Sequence, residues 1–211
     1  MSLQVQSMDD NIPFTEYKKW IDKYIRNNDT REINFQNDVI KRLIENLFPK
    51  YDVVNVGTKG TDTSKHDYYH YSGKYIDDQG REKPTTPDIL IASNWNWYNI
   101  EYENEIKYIA TIEVKSPYGK EAIYKCDCNN CPKQIKLHLS AEKIDKVIYT
   151  DSLEWRFYKQ DELDKPEQFC FVIRKRVGRG YTYEWKSDAL AQEEFEKLIN
   201  KMKNFLTIKS E

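Results

Sequence analysis

The stretch IATIEVKSP, residues 109–117, sets a glutamate and a lysine into what otherwise reads as a core strand. Ile109, Ala110, Ile112 and Val114 suit a pleated, half-buried surface. Side chains two positions apart on a strand share a face. Thr111, Glu113 and Lys115 therefore stand together, while Ile112 and Val114 face the other way. Glutamate and lysine are almost never fully buried unless paired. The segment is either a solvated sheet face with a surface ion pair or a site.

Working outward, TPDILIAS (86–93) is an earlier strand, and the aromatic, acidic NWNWYNIEYENE (94–105) connects the two. Downstream, CPKQIKLHLSAEK (131–143) reads as a helix with Pro132 in its first turn. KVIYT (146–150) and EWRFYK (154–159) are strands joined by a tight turn, and EQFCFVIRKRV (167–177) pairs with YTYEWK (181–186) around Gly178 and Gly180. DALAQEEFEKLINKMKNFL (188–206) is an amphipathic helix capped by Ser187 or Asp188. Upstream, residues 12–27 form a helix capped by Thr15. Residues 31–49 form a second helix, with an apolar stripe of Ile33, Val39, Ile40, Leu43, Ile44 and Leu47 and a stop at Pro49. YDVVNV (51–56) is a strand, and 57–83 is a long polar excursion or hairpin containing a DDQG turn; loops of that length are usually functional or disordered. The order α, α, β, β, β, α, β, then further strands and a last helix, predicts an α/β domain built on a mixed sheet flanked by helices. One domain spans 13–211, behind a frayed or tag-derived segment 1–12.

The chain has 211 residues, enough for a sizeable core. Its formal net charge of −2 argues against a passive DNA-coating protein but leaves room for a nuclease, whose acidic metal site offsets a local basic surface. No apolar run approaches the roughly 18 residues of a membrane span, and no secretory signal follows the N-terminus. Of four cysteines, three crowd at Cys126, Cys128 and Cys131, unlike an extracellular disulfide ladder. These features predict a cytoplasmic protein without a membrane partner.

Asp88 opens the earlier strand, and Glu113 and Lys115 lie near the end of the later one. If the strands pair, both carboxylates converge with the lysine at one sheet end. Two carboxylates and one backbone carbonyl, that of Val114, suit a hard cation such as Mg²⁺, with Mn²⁺ as a substitute. Such an ion lowers the pKa of a water and neutralises charge on a phosphodiester. The lysine can orient or deprotonate that water, or stabilise developing charge.

Pro87-Asp88 followed by Glu113-Val114-Lys115 resembles the PD-(D/E)xK nuclease superfamily. Residues 31 to 160 also resemble the N-terminal nuclease domain of type I restriction enzyme R subunits, in which a glutamine-bearing helix precedes a strand ending in TNG and then a tryptophan strand. Here Gln134 lies on that helix, and TDS replaces TNG. The resemblance implies a restriction-endonuclease-like fold and Mg²⁺-dependent hydrolysis of DNA, with Asp88, Glu113 and the Val114 carbonyl as metal ligands. Lys115 and Gln134 would assist. An acidic residue on the first core helix often faces such a site. Glu32, Gln36, Ile40, Leu43 and Leu47 share one helical face, so Glu32 or Gln36 could serve; the alternatives are a helix cap and a surface amide. Partners implied are DNA, other restriction-system subunits and a second copy of the chain.

Two competing classes stand beside the enzyme: a catalytically silent nuclease-fold module that binds DNA or protein, and a structural protein centred on its cysteines. Cys126, Cys128 and Cys131 supply three ligands, so zinc or an iron–sulfur cluster would need Cys170 or His138 to complete a tetrahedral set. Reduced thiols in a loop are the favoured reading. His66 and His70 read as surface residues in an aromatic stretch able to stack on bases, and RKRVGRG (174–180) reads as a solvated basic turn able to touch phosphate. No phosphate-binding Gly-x-x-x-x-Gly-Lys-Ser/Thr loop is present, so any activity should be independent of ATP.

Overall fold

A computed structural model describes residues 12–56, 74–95, 106–125, 132–163 and 166–207. In chain order it contains helix α1 (Phe14–Arg26), α2 (Glu32–Phe35), a π-helical segment (Gln36–Lys41) and α3 (Arg42–Leu47), then strand β1 (Asp52–Asn55). A small hairpin of β2 (Lys74–Ile76) and β3 (Glu82–Pro84) leads into β4 (Ile89–Ser93) and β5 (Lys107–Val114). There follow α4 (Lys133–Leu139), β6 (Lys146–Thr150), β7 (Glu154–Lys159), β8 (Glu167–Cys170), β9 (Val172–Val177), β10 (Gly180–Trp185) and α5 (Asp188–Phe205). The cysteines at 126, 128 and 131 and the histidines at 66 and 70 lie outside the described residues.

Six strands form one mixed sheet in the order β1-β4-β5-β6-β7-β8. Among these strands β5 and β6 run parallel and the other neighbours run antiparallel. A parallel pair needs a crossover, and α4 lies within that crossover, packing its Ile135 and Leu139 with Leu90, Val147 and Tyr149. The opposite face, carrying Val53, Ile89, Ile91, Ile112, Val114 and Ile148, packs under α1, α3 and α5. Helices on both sides leave β5 buried from Ile109 to Val114. The expected half-buried strand is thus a central one, and Thr111 and Glu113 face α4 instead of solvent.

Helix α1 follows from apolar residues recurring at three- and four-residue spacing: Phe14, Tyr17, Trp20, Ile21 and Tyr24 are buried. Tyr17 stacks on Phe195 of α5 at 5.0 Å. Its hydroxyl donates to the Ser152 carbonyl at 2.7 Å and accepts from the Trp155 indole at 3.2 Å, fastening α1 to the β6–β7 turn. Asp151 shapes that turn by accepting from the backbone N–H groups of Ile123, Leu153 and Glu154.

Several boundaries differ from expectation. Pro13, not Thr15, precedes α1, and Pro132 is the residue before α4 instead of within its first turn. Ile33 is partly exposed instead of joining the buried stripe. The run 167–177 is two strands: the chain leaves the main sheet at Phe171, whose N–H donates to Leu153 and whose carbonyl accepts from Lys186. Beyond Phe171, β9 pairs with β10 in a separate two-stranded ribbon. Among the described residues no helix is long and apolar enough to cross a membrane.

Candidate active site

The β4–β5 register builds the site. Ile89 lies opposite Ile112 and Leu90 opposite Thr111, so one step further sets Asp88 opposite Glu113. Residues directly opposite across antiparallel strands have Cβ atoms roughly 5 Å apart on the same face. Asp88 Oδ2 accepts a 2.7 Å hydrogen bond from the Val114 N–H, which fixes its carboxylate against the end of β5. The Lys115 N–H continues towards β6, donating to the Thr150 carbonyl at 2.9 Å.

Glu113 is almost fully buried and engaged at both oxygens. Lys115 Nζ donates to Oε1 at 2.6 Å, and His138 Nε2 lies 3.1 Å from Oε2. The His138 ring is buried, and its Nδ1 meets the Thr85 hydroxyl. An ionised carboxylate only accepts. In the singly protonated imidazole this puts the proton on Nε2 and leaves Nδ1 to accept from Thr85. From the same helix, Gln134 Oε1 lies 3.4 Å from Lys115 Nζ while the residue stays largely exposed.

The N-terminal helices approach from the other side. Gln36 is buried, and its Nε2 donates to the Asp88 carbonyl at 3.2 Å; the surface-amide alternative does not apply. It opens the π-helical segment, a widened turn frequently found at functional sites. Glu32, one turn earlier, lies near the backbone of Ser116 and interacts electrostatically with Lys115 and Glu113. Ser116 Oγ donates to the Thr30 carbonyl at 2.6 Å, tying the loop after the lysine to the start of α2. Asp88, Glu113, Lys115, Gln134, Glu32 and Gln36 thus gather at one sheet end, with the Val114 backbone among them.

Charge is unbalanced there. Burial, and then the neighbouring Glu113, push the Asp88 carboxyl up to about 7. Burial raises Glu32 as well, with Lys115 opposing and Glu113 adding to the rise. Burial pulls the Lys115 ammonium down, but Glu113, Glu32 and Asp88 outweigh it and hold its pKa above the usual lysine value. Four carboxyl groups therefore face one lysine, the fourth being the exposed Glu121, whose Oε2 lies 3.8 Å from Lys115 Nζ. Two opposed carboxylates whose like charges resist ionisation are relieved by a divalent cation, and the all-oxygen donor set of Asp88, Glu113 and the Val114 carbonyl is of the kind hard cations take. The residues fit Mg²⁺.

His138 and Thr85 complete the cluster, and the sequence reading does not place them there. The available signal is helical spacing, since His138 follows Gln134 by four residues and so shares its face. Both ring nitrogens of His138 are used in this cluster. Cys170, the other suggested fourth ligand, lies on β8, where its Sγ donates to the Val172 carbonyl and burial pushes the thiol up to about 11. Compared with protein-family models, with curated proteins and with solved structures, the chain gives no significant match.

Proposed function

We propose that this protein is a Mg²⁺-dependent endonuclease of the PD-(D/E)xK type, with a restriction-endonuclease-like fold, hydrolysing phosphodiester bonds in DNA as part of a cytoplasmic restriction system. The observation that carries this reading is the Asp88 carboxylate held on the Val114 N–H at 2.7 Å, next to Glu113, with Lys115 2.6 Å from Glu113 at the same sheet end. A structural ion pair alone would give no reason for a second carboxylate to be held against the first at an electrostatic cost.

Asp88, Glu113 and the Val114 carbonyl would hold the ion, which lowers the pKa of a water and offsets phosphate charge when bound. The chain's own groups divide the remaining work. Lys115, kept as an ammonium by Glu113, Glu32 and Asp88, orients the attacking water and stabilises charge on the phosphate oxygens. The water oxygen bonds to phosphorus, the bond from phosphorus to the leaving oxygen breaks, the water proton passes to solvent, and the leaving oxygen takes a proton from solvent to depart as an alcohol. His138 and Thr85 hold the Glu113 carboxylate in one orientation, as outer partners of metal ligands do. Gln36 sets the Asp88 backbone, and Gln134 offers an uncharged amide to a water or a phosphate oxygen.

The experiment is cleavage of supercoiled plasmid in Mg²⁺ without ATP, compared with chelator and with Glu113→Gln. Glu113→Gln should abolish nicking while keeping the fold.

A further inference from the structure

The basic stretch at 174–179 lies on the β9–β10 ribbon, and the register sorts its charges between two faces. Arg176 lies opposite Tyr181, Arg174 opposite Tyr183 and Val172 opposite Trp185. Opposite residues share a face, so Arg174 and Arg176 lie on the side that carries Tyr181, Tyr183 and Trp185. The other side carries Lys175, ion-paired with Glu184, and is charge-balanced. Within Val172–Trp185 the basic residues are Arg174, Lys175, Arg176 and Arg179 against the single acid Glu184, in a chain whose formal net charge is −2. Positive charge is concentrated here against the trend of the molecule.

The arginine-bearing face packs Tyr181, Tyr183 and Trp185 on the main core and reaches the turn that follows the candidate active site. Tyr183 packs against Tyr124 at 5.4 Å between ring centroids and against Tyr118 at 6.0 Å, and the Tyr118 and Tyr183 hydroxyls hydrogen-bond. Tyr118 belongs to the turn that begins directly after Lys115, and that turn also carries the exposed Lys120 and the exposed Glu121. Further out, the Arg174 guanidinium lies 3.6 Å over the Tyr181 ring, which holds it extended along the ribbon. Arg176 and Arg179 are exposed at the tip. Gly178, at φ +59° in the two-residue turn, takes a conformation that L side chains rarely adopt, so the ribbon reverses tightly and projects its tip.

We infer that the β9–β10 ribbon is a DNA-docking arm, whose Arg176 and Arg179 grip the phosphate backbone of a duplex lying across the site mouth at Tyr118. Guanidinium forks match phosphate oxygens, and such contacts fix register and orientation without reading sequence. The proposal rests on the nuclease reading for the identity of the polyanion but not for the arm's charge or position.

The test is fluorescence anisotropy of a labelled duplex in chelator, where no cleavage occurs, over a salt series. Arg176→Gln/Arg179→Gln is compared with the wild type and with Lys197→Gln/Lys203→Gln on α5, an equal loss of charge elsewhere. The arm variant should bind about tenfold or more weakly, and its log–log salt slope should fall by about 0.9 for each phosphate that is no longer neutralised. The α5 variant should match the wild type. Arg179→Gln alone, outside the strand ladder, guards against misfolding and should reduce the slope by about 0.9. Unchanged affinity and slope in both arm variants, or no duplex binding by the wild type, overturns the arm. If the wild type cuts DNA while the arm variants bind like it, the arm fails and the nuclease reading stands. If the wild type binds through the arm but never cuts with Mg²⁺, the nuclease reading fails and the arm stands.

Discussion

His138 Nε2 lies 3.1 Å from Glu113 Oε2, while the other oxygen of that carboxylate takes the Lys115 ammonium at 2.6 Å. A strand residue is thereby oriented by a helix residue 25 positions later in the chain. Removing the imidazole leaves a buried carboxylate oxygen without its donor, and a hydrogen bond to a charged group is worth about 1.5–3 kcal/mol. His138→Ala should slow cleavage by roughly ten- to a hundred-fold. His138→Gln, whose amide can reach the Nε2 position, should recover part of that loss. Native rates in His138→Ala would show that Glu113 needs no such support.

The pH dependence of stability follows from Asp88, whose carboxyl is pushed up to about 7 by burial and then by Glu113. A carboxyl whose pKa is raised on folding contributes stability that is complete below its unfolded value of about 4. That contribution is lost as pH rises through about 7. In chelator, the unfolding temperature should therefore fall across this window. Asp88→Asn keeps an acceptor for the Val114 N–H and should shrink the fall. It should not abolish it, because Asp151 is also raised to about 7, by complete burial and by Glu154. An identical pH profile in Asp88→Asn would remove Asp88 as a source.

Metal binding is open to a test without catalysis. An ion that binds only the folded chain stabilises it by about 2.7 kcal/mol at a hundred times its dissociation constant. Above the Asp88 pKa of about 7, Mg²⁺ should raise the unfolding temperature of the wild type and of His138→Gln, but not of Asp88→Asn. Equal stabilisation of all three would place the ion elsewhere.

Gln134 is exposed, and its Oε1 is 3.4 Å from Lys115, a long contact. Removing it should cost no more than an ordinary hydrogen bond, about 0.5–1.5 kcal/mol. Gln134→Ala should thus slow cleavage by no more than about tenfold, at unchanged unfolding temperature. A larger effect would give the amide a contact with substrate beyond its link to Lys115.

Alternation of apolar and charged residues is enough to set Glu113 beside Lys115 on one face, and the strand order brings Asp88 to them. The gathering of Glu32 and Gln36 is legible from helical spacing. The π-helical turn at Gln36–Lys41 is not, because a single widened turn leaves no mark on a pattern read at 3.6 residues. The break at Phe171 is hidden because apolar and β-favouring residues run on through it, and only the hydrogen bonds with Leu153 and Lys186 divide β8 from β9. His138 reads in the sequence as an optional cysteine-site ligand, since its partner Glu113 comes from an element that only the parallel β5–β6 crossover brings near.

The central claim is that Asp88, Glu113 and Lys115 form a metal-dependent phosphodiesterase centre. Conversion of supercoiled plasmid to nicked or linear DNA by the purified chain, in Mg²⁺ and without ATP, tests it most directly. The wild type should cut, chelator should stop it, and Asp88→Asn, Glu113→Gln and Lys115→Ala should each be inactive while remaining folded. Cutting at the native rate by Glu113→Gln, or undiminished cutting in chelator, would contradict the assignment.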